Sequence, residues 1–352
     1  MIVICVCFAI LIATVFSIVG SKKPLDLIIS EVKYEVIYNI IGTIALLQDW
    51  FMRHNNKTEL ISQPNKIAVI TGGARGIGAE VIKMLLKCDI TVVIGCRNIE
   101  SALVMLRKYR DQGIDTGDLD PHQLDITSSD SVSKFVTAVK EKYPKINYLI
   151  NNAGIMFGPR KETRDGYESQ FSTNYLGHFQ LTHLLFECLK QAGEENSFSR
   201  IVNVSSCAHI VGKINFIDIN SRLKYVSTEA YAQSKLAQIL FTNYLDSLCI
   251  REGHQVQVHS VHPGIVNTEL FDGTLWKKVA PWLPNLIFKT PKEGAIPIVH
   301  ACLSPKLERK GGTYIHNCKI FPTNRLARDK ELQKKMFDFT NSLIGIKQFG
   351  KS

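Results

Sequence analysis

Lys66-Ile67-Ala68-Val69-Ile70-Thr71-Gly72-Gly73-Ala74-Arg75-Gly76-Ile77-Gly78 joins two segments of different period. Lys66 to Ile70 reads as a β-strand, and Gly76 to Lys87 as an amphipathic helix. Three glycines, Gly72, Gly76 and Gly78, fall in the turn between them. Glycine lets a backbone turn tightly and approach an anion, and the following helix start offers unpaired N–H groups. The stretch therefore predicts a dinucleotide phosphate site built on Gly72, Arg75, Gly76, Ile77 and Gly78.

Outward from this turn the same alternation continues. Strands are expected at Ile90–Cys96, His122–Asp125, Tyr148–Asn151, Arg200–Val204 and Val256–Val261. Helices are expected at Ser101–Tyr109, Ser131–Glu141, Ser169–Lys190 and Ala230–Ser247. Parallel strands need crossovers, so the pattern predicts an α/β fold: a Rossmann-type doubly wound parallel sheet with helices on both faces. No acid follows the second strand to read a ribose 2′-hydroxyl. Arg97 stands there, and Arg75 adds a second guanidinium, which favours a 2′-phosphate: NADP(H) is preferred, NAD(H) possible.

The chain has 352 residues, with 42 Lys+Arg against 32 Asp+Glu for a net charge of +10, and the excess is concentrated from Lys306 onward. The apolar fraction of 45% excludes a disordered chain and is ample for a core. The 9 cysteines are scattered without metal-ligand spacing, so reduced thiols are expected and no metal. The basic tail suits a solvated face or an anionic membrane rather than nucleic acid.

Residues 1–20 carry no charge and match the length of a bilayer span, which predicts an uncleaved anchor. Residues 35–51 form a second apolar stretch, read as an interfacial helix ending at Trp50 and Phe51. Lys22 and Lys23 follow the first segment and favour a cytosolic catalytic domain, 66–352. The membrane is then the endoplasmic reticulum or a lipid droplet, with secretion the weaker alternative. Asn56-Lys57-Thr58 lies in an expected exposed linker, where glycosylation would report a lumenal side. Asn203-Val204-Ser205 sits in an expected buried strand.

Further motifs follow in order: Leu124-Asp125, Asn151-Asn152-Ala153-Gly154, Asn174, Ser206, Tyr231-Ala232-Gln233-Ser234-Lys235 and Pro263-Gly264 with Thr268. With the glycine turn, they resemble the short-chain dehydrogenase/reductase family over roughly residues 66–317. Asn174-Tyr175-Leu176-Gly177-His178-Phe179 and Phe288-Lys289-Thr290-Pro291-Lys292-Glu293-Gly294-Ala295 are similar to its retinol-dehydrogenase-like branch. The resemblance implies a catalytic set of Asn174, Ser206, Tyr231 and Lys235. It implies cofactor contacts from Asp125, Asn152, Ala153, Gly154, Tyr231, Lys235 and Thr268 besides the glycine turn and Arg97. An ordinary turn Asp125 and a helix-capping Thr268 are the alternatives.

Tyr231 and Lys235 are four apart on one helix face, and a nearby ammonium is expected to lower the phenol pKa. His178 and His209 read as structural. Phe271, Leu275, Trp276, Val279, Trp282, Leu283, Leu286, Ile287 and Phe288 form an apolar cap that suits a lipophilic substrate or core packing. Leu332, Met336, Phe339 and Leu343 mark an amphipathic helix that either meets a membrane or docks on its own domain. The expected function is interconversion of a lipophilic alcohol and its aldehyde or ketone, with polyprenol- or dolichol-type isoprenoids first, retinol second and steroids third. A non-catalytic NADP(H)-binding membrane scaffold is the rival reading, and a homodimer is possible.

Overall fold

The computed structural model describes residues 2–271 and 282–351. The N-terminal part is a helical hairpin: α1 (Ile2–Val19) packs along α2 (Leu25–Phe51). Pro24 stands at the turn, and a Lys23–Glu31 ion pair of 2.7 Å closes the elbow. Among the described residues no helix is long and apolar enough to cross a membrane. The anchor expected over residues 1–20 is thus not shown. The second apolar stretch begins at Leu25 rather than near residue 35, because a helix tolerates the polar turns that break an apolar run.

From Ile67 the chain alternates as expected. β1 (Ile67–Thr71), α3 (Gly76–Lys87), β2 (Thr91–Cys96), α4 (Ile99–Asp111), β3 (Leu119–Gln123), α5 (Ser129–Lys142) and β4 (Tyr148–Asn151) form the first half. The second half holds α6 (Ser169–Phe171), α7 (Gly177–Ala192), β5 (Ser199–Val204), α8 (Ser227–Arg251) and β6 (Val256–His262). After it come α9 (Leu283–Ile287), α10 (Pro291–Leu303), β7 (Thr313–His316), β8 (Lys319–Phe321), α11 (Arg325–Arg328) and α12 (Lys330–Leu343). The sheet order is β3-β2-β1-β4-β5-β6-β7-β8, all parallel except the β7–β8 hairpin. The order reverses between β1 and β4, which opens a crevice at the carboxyl ends of the strands.

Two apolar layers hold the sheet. Val81, Leu85, Ile298 and Val299 from α3 and α10 cover one face. Phe135, Phe179, Leu185, Leu240 and Phe241 from α5, α7 and α8 cover the other.

Several local expectations are corrected. β3 starts before the expected His122 and contains Pro121; it is the edge strand, where a missing N–H is tolerated. The helix expected over Ser169–Lys190 is interrupted by a π turn, Ser172–Leu176, that re-aims Asn174. The β7–β8 turn places Asn317 and Cys318 at positive φ (49° and 59°), a two-residue hairpin turn built without the usual glycine. Asn56 is buried, and its amide donates to the Glu293 carbonyl at 2.8 Å, so the first sequon is not an exposed linker. Asn203 is buried as expected.

The C-terminal amphipathic helix docks on its own domain. Met336 and Phe337 of α12 are buried, and Phe337 joins an aromatic cluster with Phe179, Phe241 and Phe349. Cys88, Cys96, Cys188, Cys207, Cys249, Cys302 and Cys318 are free thiols, while the side chains of Cys5 and Cys7 lie outside those described. Among the described residues no group of His, Cys, Asp and Glu has a metal-binding arrangement.

Candidate active site

The crevice begins with the glycine turn. Gly72 and Gly76 have φ of +67° and +58°, values at which any side chain strains the backbone. A Cβ on Gly78 would lie 2.5 Å from the Gly72 carbonyl and 2.7 Å from the Asn152 amide. The turn is therefore closed from behind, and only bare backbone fits. Arg75 precedes α3 without a side-chain cap, leaving the first N–H groups of the helix open, with Ile77 in the first turn.

The Arg75 guanidinium pairs with Glu269, beside Thr268. The Thr268 methyl lies 3.6 Å from where a Cβ on Gly76 would stand, and its hydroxyl accepts from Leu270 N–H as a turn cap. Arg97 sits exposed just past β2, and among the described residues its guanidinium makes no ion pair. Asp125 folds an Asx turn: Oδ1 accepts from Thr127 N–H and Oγ1–H at 3.0 and 2.7 Å.

A hydrogen-bonded column links β1, β4 and the π turn. Asn152 Nδ2 donates to the Thr71 and Gly72 carbonyls, each at 2.9 Å. Thr71 Oγ1 accepts from the N–H groups of Asn152 and Ala153. Its own proton then goes to His178 Nε2 at 2.8 Å, and Nδ1–H of that ring donates to the Asn174 carbonyl at 3.2 Å. Burial pushes the His178 pKa down to about 4, so the ring is the neutral tautomer this column needs. Sequence reasoning read His178 as structural and missed Thr71 as the hub; the motif spacing carries no sign of either bond.

Asn174 is fully buried. Its Oδ1 accepts from Ile155 N–H at 2.8 Å, and Nδ2 donates to the Ile155 carbonyl and to Ser234 Oγ. Gly154 lies between it and Lys235: a Cβ there would be 3.3 Å from Asn174 Oδ1 and 3.8 Å from Lys235 Nζ.

Ser206 follows β5 and caps the next turn, accepting from Ala208 N–H at 3.2 Å. Tyr231 and Lys235 come from α8, and the Lys235 ammonium lies 5.6 Å from the Tyr231 ring centre. Lys235 Nζ donates to the Val204 carbonyl at 2.8 Å and to Gln238 Oε1 at 3.2 Å. The expected lowering of the tyrosine pKa is reversed by burial. Burial raises the Tyr231 phenol above its ordinary value, with the Ser206 hydroxyl opposing, and burial pulls Lys235 down to about 7. Lost solvation in an enclosed site disfavours the phenolate and the ammonium alike.

What encloses the site comes from outside the motifs. Phe157 stacks edge-on against Tyr231 at 5.8 Å, and Tyr38 of α2 stacks edge-on against Phe157 at 5.4 Å. The Tyr38 hydroxyl reaches Met156 Sδ at 3.7 Å. At the far end of α2, buried Asp49 accepts from Lys289 Nζ and His316 Nε2, both at 2.8 Å, from Asn317 Nδ2 at 3.2 Å, and from Ile265 N–H at 2.9 Å. These bonds hold its carboxyl below the usual carboxylate range against the cost of burial. They also fix the loop after Pro263-Gly264, where a Cβ on Gly264 would lie 2.6 Å from Asp49 Oδ2. The one sequence signal was an acid at the end of an apolar run.

Of the apolar cap, Phe271 and Phe288 stack at 5.2 Å, while Trp282 and Leu286 are exposed. Leu275, Trp276 and Val279 lie outside the described residues, as does the Leu283 side chain. His209 is buried, with Nδ1 against the Ser206 carbonyl at 2.7 Å, and its pKa falls to about 4.

Residues 66–277 match the short chain dehydrogenase family. A polyprenol dehydrogenase of Danio rerio is 36% identical, covering 87% of this chain and 95% of that protein. Retinol dehydrogenase 11 of Homo sapiens is 35% identical, covering 82% and 89%. A crystal structure of a Mycobacterium paratuberculosis protein superposes with a TM-score of 0.65 at 28% identity, covering 82% of this chain and 96% of that one.

Proposed function

The chain belongs to the short-chain dehydrogenase family and is an NAD(P)-dependent oxidoreductase; from that premise we propose that it interconverts a lipophilic alcohol and its aldehyde or ketone, with NADP(H) preferred and a polyprenol- or dolichol-type isoprenoid as substrate. The observation that carries this reading is the buried set of Ser206, Tyr231 and Lys235, beside the carboxyl end of β5 and next to the sheet switch point, under an apolar cover. The similarity to a polyprenol dehydrogenase supports the substrate class. The similarity to a retinol dehydrogenase makes retinal the second reading.

The residues fit a nicotinamide dinucleotide: a bare glycine cradle, an uncapped helix start and a buried lysine between Gly154 and Val204. The cofactor, when bound, supplies hydride acceptance or donation. Gly72, Arg75, Gly76, Ile77 and Gly78 would hold its pyrophosphate; Arg97 would take the 2′-phosphate; Asp125, Asn152, Ala153, Gly154 and Thr268 would line the rest. Tyr231 moves the proton: as phenolate its Oη takes the alcohol proton on oxidation, and as phenol it gives its proton to the carbonyl oxygen on reduction. Ser206 orients that oxygen. Lys235 stabilises the phenolate when charged, and Asn174 shapes the path for protons beside it.

The exposed Phe8, Phe16, Ile29, Ile37, Ile40 and Ile44 support placement at a lipid surface. We assign that surface to the endoplasmic reticulum or a lipid droplet, with the catalytic domain cytosolic. The reading is tested by turnover in detergent with NADPH, with dolichal-type and retinal-type aldehydes side by side and Tyr231→Phe as the blank. Preferential Tyr231-dependent reduction of the isoprenoid is expected. Retinal preference moves the protein to the second reading. NADPH binding without turnover favours the scaffold rival.

Two further results are expected. The Arg97→Ser variant should raise the KM for NADPH about 10- to 100-fold and leave that for NADH unchanged, the worth of one charge-assisted contact. Steady-state kinetics with both cofactors checks it; equal effects on the two would remove the 2′-phosphate role. Lys235, lowered to about 7 by burial, should gain a proton as anionic cofactor binds. At and above pH 7 binding then takes up protons, and affinity falls as pH rises. Calorimetry in buffers of different ionisation enthalpy measures this, and Lys235→Met should abolish it.

A further inference from the structure

Gln238 lies one turn beyond Lys235 on α8, outside the motifs quoted above, and is 2% exposed. Its Oε1 accepts from Lys235 Nζ at 3.2 Å, while the Val204 carbonyl, at the end of β5, accepts from the same ammonium at 2.8 Å. An ammonium has three N–H groups and no acceptor. Helix and sheet therefore each engage one, and the atom of Gln238 that faces the lysine must be its oxygen. The other end of the amide is left over: Gln238 Nε2 is buried and has no partner among the described residues. A leucine or methionine would fill the same space without an orphaned donor, so packing does not explain a carboxamide here.

The residue is held from behind. Thr242 Oγ1 donates to the Gln238 carbonyl at 2.9 Å and accepts from Asn203 Nδ2 at 2.9 Å, and Asn203 Oδ1 accepts from Asn151 Nδ2 at 2.8 Å. This turn of α8 is thus tied to the carboxyl ends of β5 and β4. The titratable groups that face Lys235 are Tyr231, on its own helix, and His178, on α7. Burial keeps the phenol and the imidazole neutral at pH 7. Among the described residues, two carbonyl oxygens therefore stand where a buried ammonium would otherwise need a counter-ion.

We propose that Gln238 is the positioning residue for Lys235: its carboxamide oxygen, together with the Val204 carbonyl, fixes the ammonium and favours its charged form without the fixed charge of a carboxylate. The inference rests on the part assigned to Lys235 above and adds a control on it. A neutral acceptor favours the charged lysine only modestly and leaves it free to titrate, whereas a carboxylate would lock it charged.

Two measurements on the intact chain test it. The first needs neither cofactor nor turnover. With lysines isotope-labelled at Cε, the Lys235 resonance is assigned by its loss in Lys235→Met and titrated in wild type, Gln238→Leu and Gln238→Glu. The wild-type midpoint is about 7. It should drop by about one pH unit in Gln238→Leu, which removes an acceptor of the charged form, and rise by about one unit or more in Gln238→Glu, which adds a counter-charge. The second follows the pH profile of kcat/KM for NADPH-dependent reduction of an isoprenoid aldehyde. Charged Lys235 is the working form, so the alkaline limb should move with the midpoint, to lower pH in Gln238→Leu and to higher pH in Gln238→Glu.

Opposite shifts of the lysine midpoint uphold the proposal. Equal midpoints, or shifts of one sign in both variants as a merely structural change would give, overturn it. Should the buried carboxylate unfold the protein, Gln238→Met, of matched length, decides: the same drop as in Gln238→Leu upholds the proposal, and an unchanged midpoint overturns it. Midpoints that shift as expected under an unmoved rate profile uphold the hold on the lysine and defeat the part given to Lys235 in the reaction.

Discussion

Replacing Tyr231 by Phe is expected to cut turnover by about 10²–10⁴-fold, the range for removing a positioned proton donor. Cofactor affinity should stay within about twofold. The separation follows from the geometry. The ring edge that meets Phe157 at 5.8 Å is kept in the variant, so the enclosure of the site is unchanged. Lys235 is held by the Val204 carbonyl and Gln238, not by the phenol, so the lysine keeps its place. Only the hydroxyl, with its bond to Ser206, is lost. Stopped-flow reduction together with NADPH fluorescence titration reads both quantities. Turnover retained within tenfold would remove Tyr231 from the proton path.

Replacing Asp49 by Ala is expected to cost roughly 3–5 kcal/mol, because a buried ion pair broken from one side leaves Lys289 buried without its counter-charge. The melting temperature should fall on the order of 10 °C. The loss should be local as well as global: with Asp49 gone, the N–H of Ile265 and the His316 and Asn317 side chains lose their acceptor, and α2 is released from the crevice. Limited proteolysis between Met52 and Gln63 should therefore speed up in the variant. The pH dependence has a definite sign. The folded Asp49 carboxyl lies below its unfolded value near 3.8, so its stabilisation is complete above that value. It is lost progressively as pH falls from about 4 down through the lower folded value, and the gap between wild type and variant should narrow over that window, not above it. A variant as stable and protease-resistant as wild type at pH 7 would show that α2 is not held by this pair.

The glycine turn and the tyrosine–lysine pair were legible because their residues have local reasons. Gly72, Gly76 and Gly78 answer to backbone geometry, and Tyr231 and Lys235 to helical spacing, so each leaves a mark within a few positions. The antiparallel hairpin was not legible: Asn317-Cys318 lacks the glycine that advertises such a turn, and β8 is only three residues long. The break at Asn174 was hidden for a different reason. Ser172 to Leu176 has ordinary helical composition, and the π turn exists because Asn174 is claimed by Ile155 on the loop after β4.

By itself the sequence determined an α/β chain with a dinucleotide turn and a tyrosine–lysine pair on one helix face, since period and glycine placement act over short range. Tertiary structure decided what surrounds that pair. The charge states of Tyr231 and Lys235 depend on how completely water is excluded, and the groups that exclude it, Tyr38 and Phe157, lie far away in the chain. The docking of α2 depends on Asp49 meeting Lys289 and His316, more than 200 residues distant. Burial and long-range charge pairing are properties of assembled elements, and no window of sequence contains them.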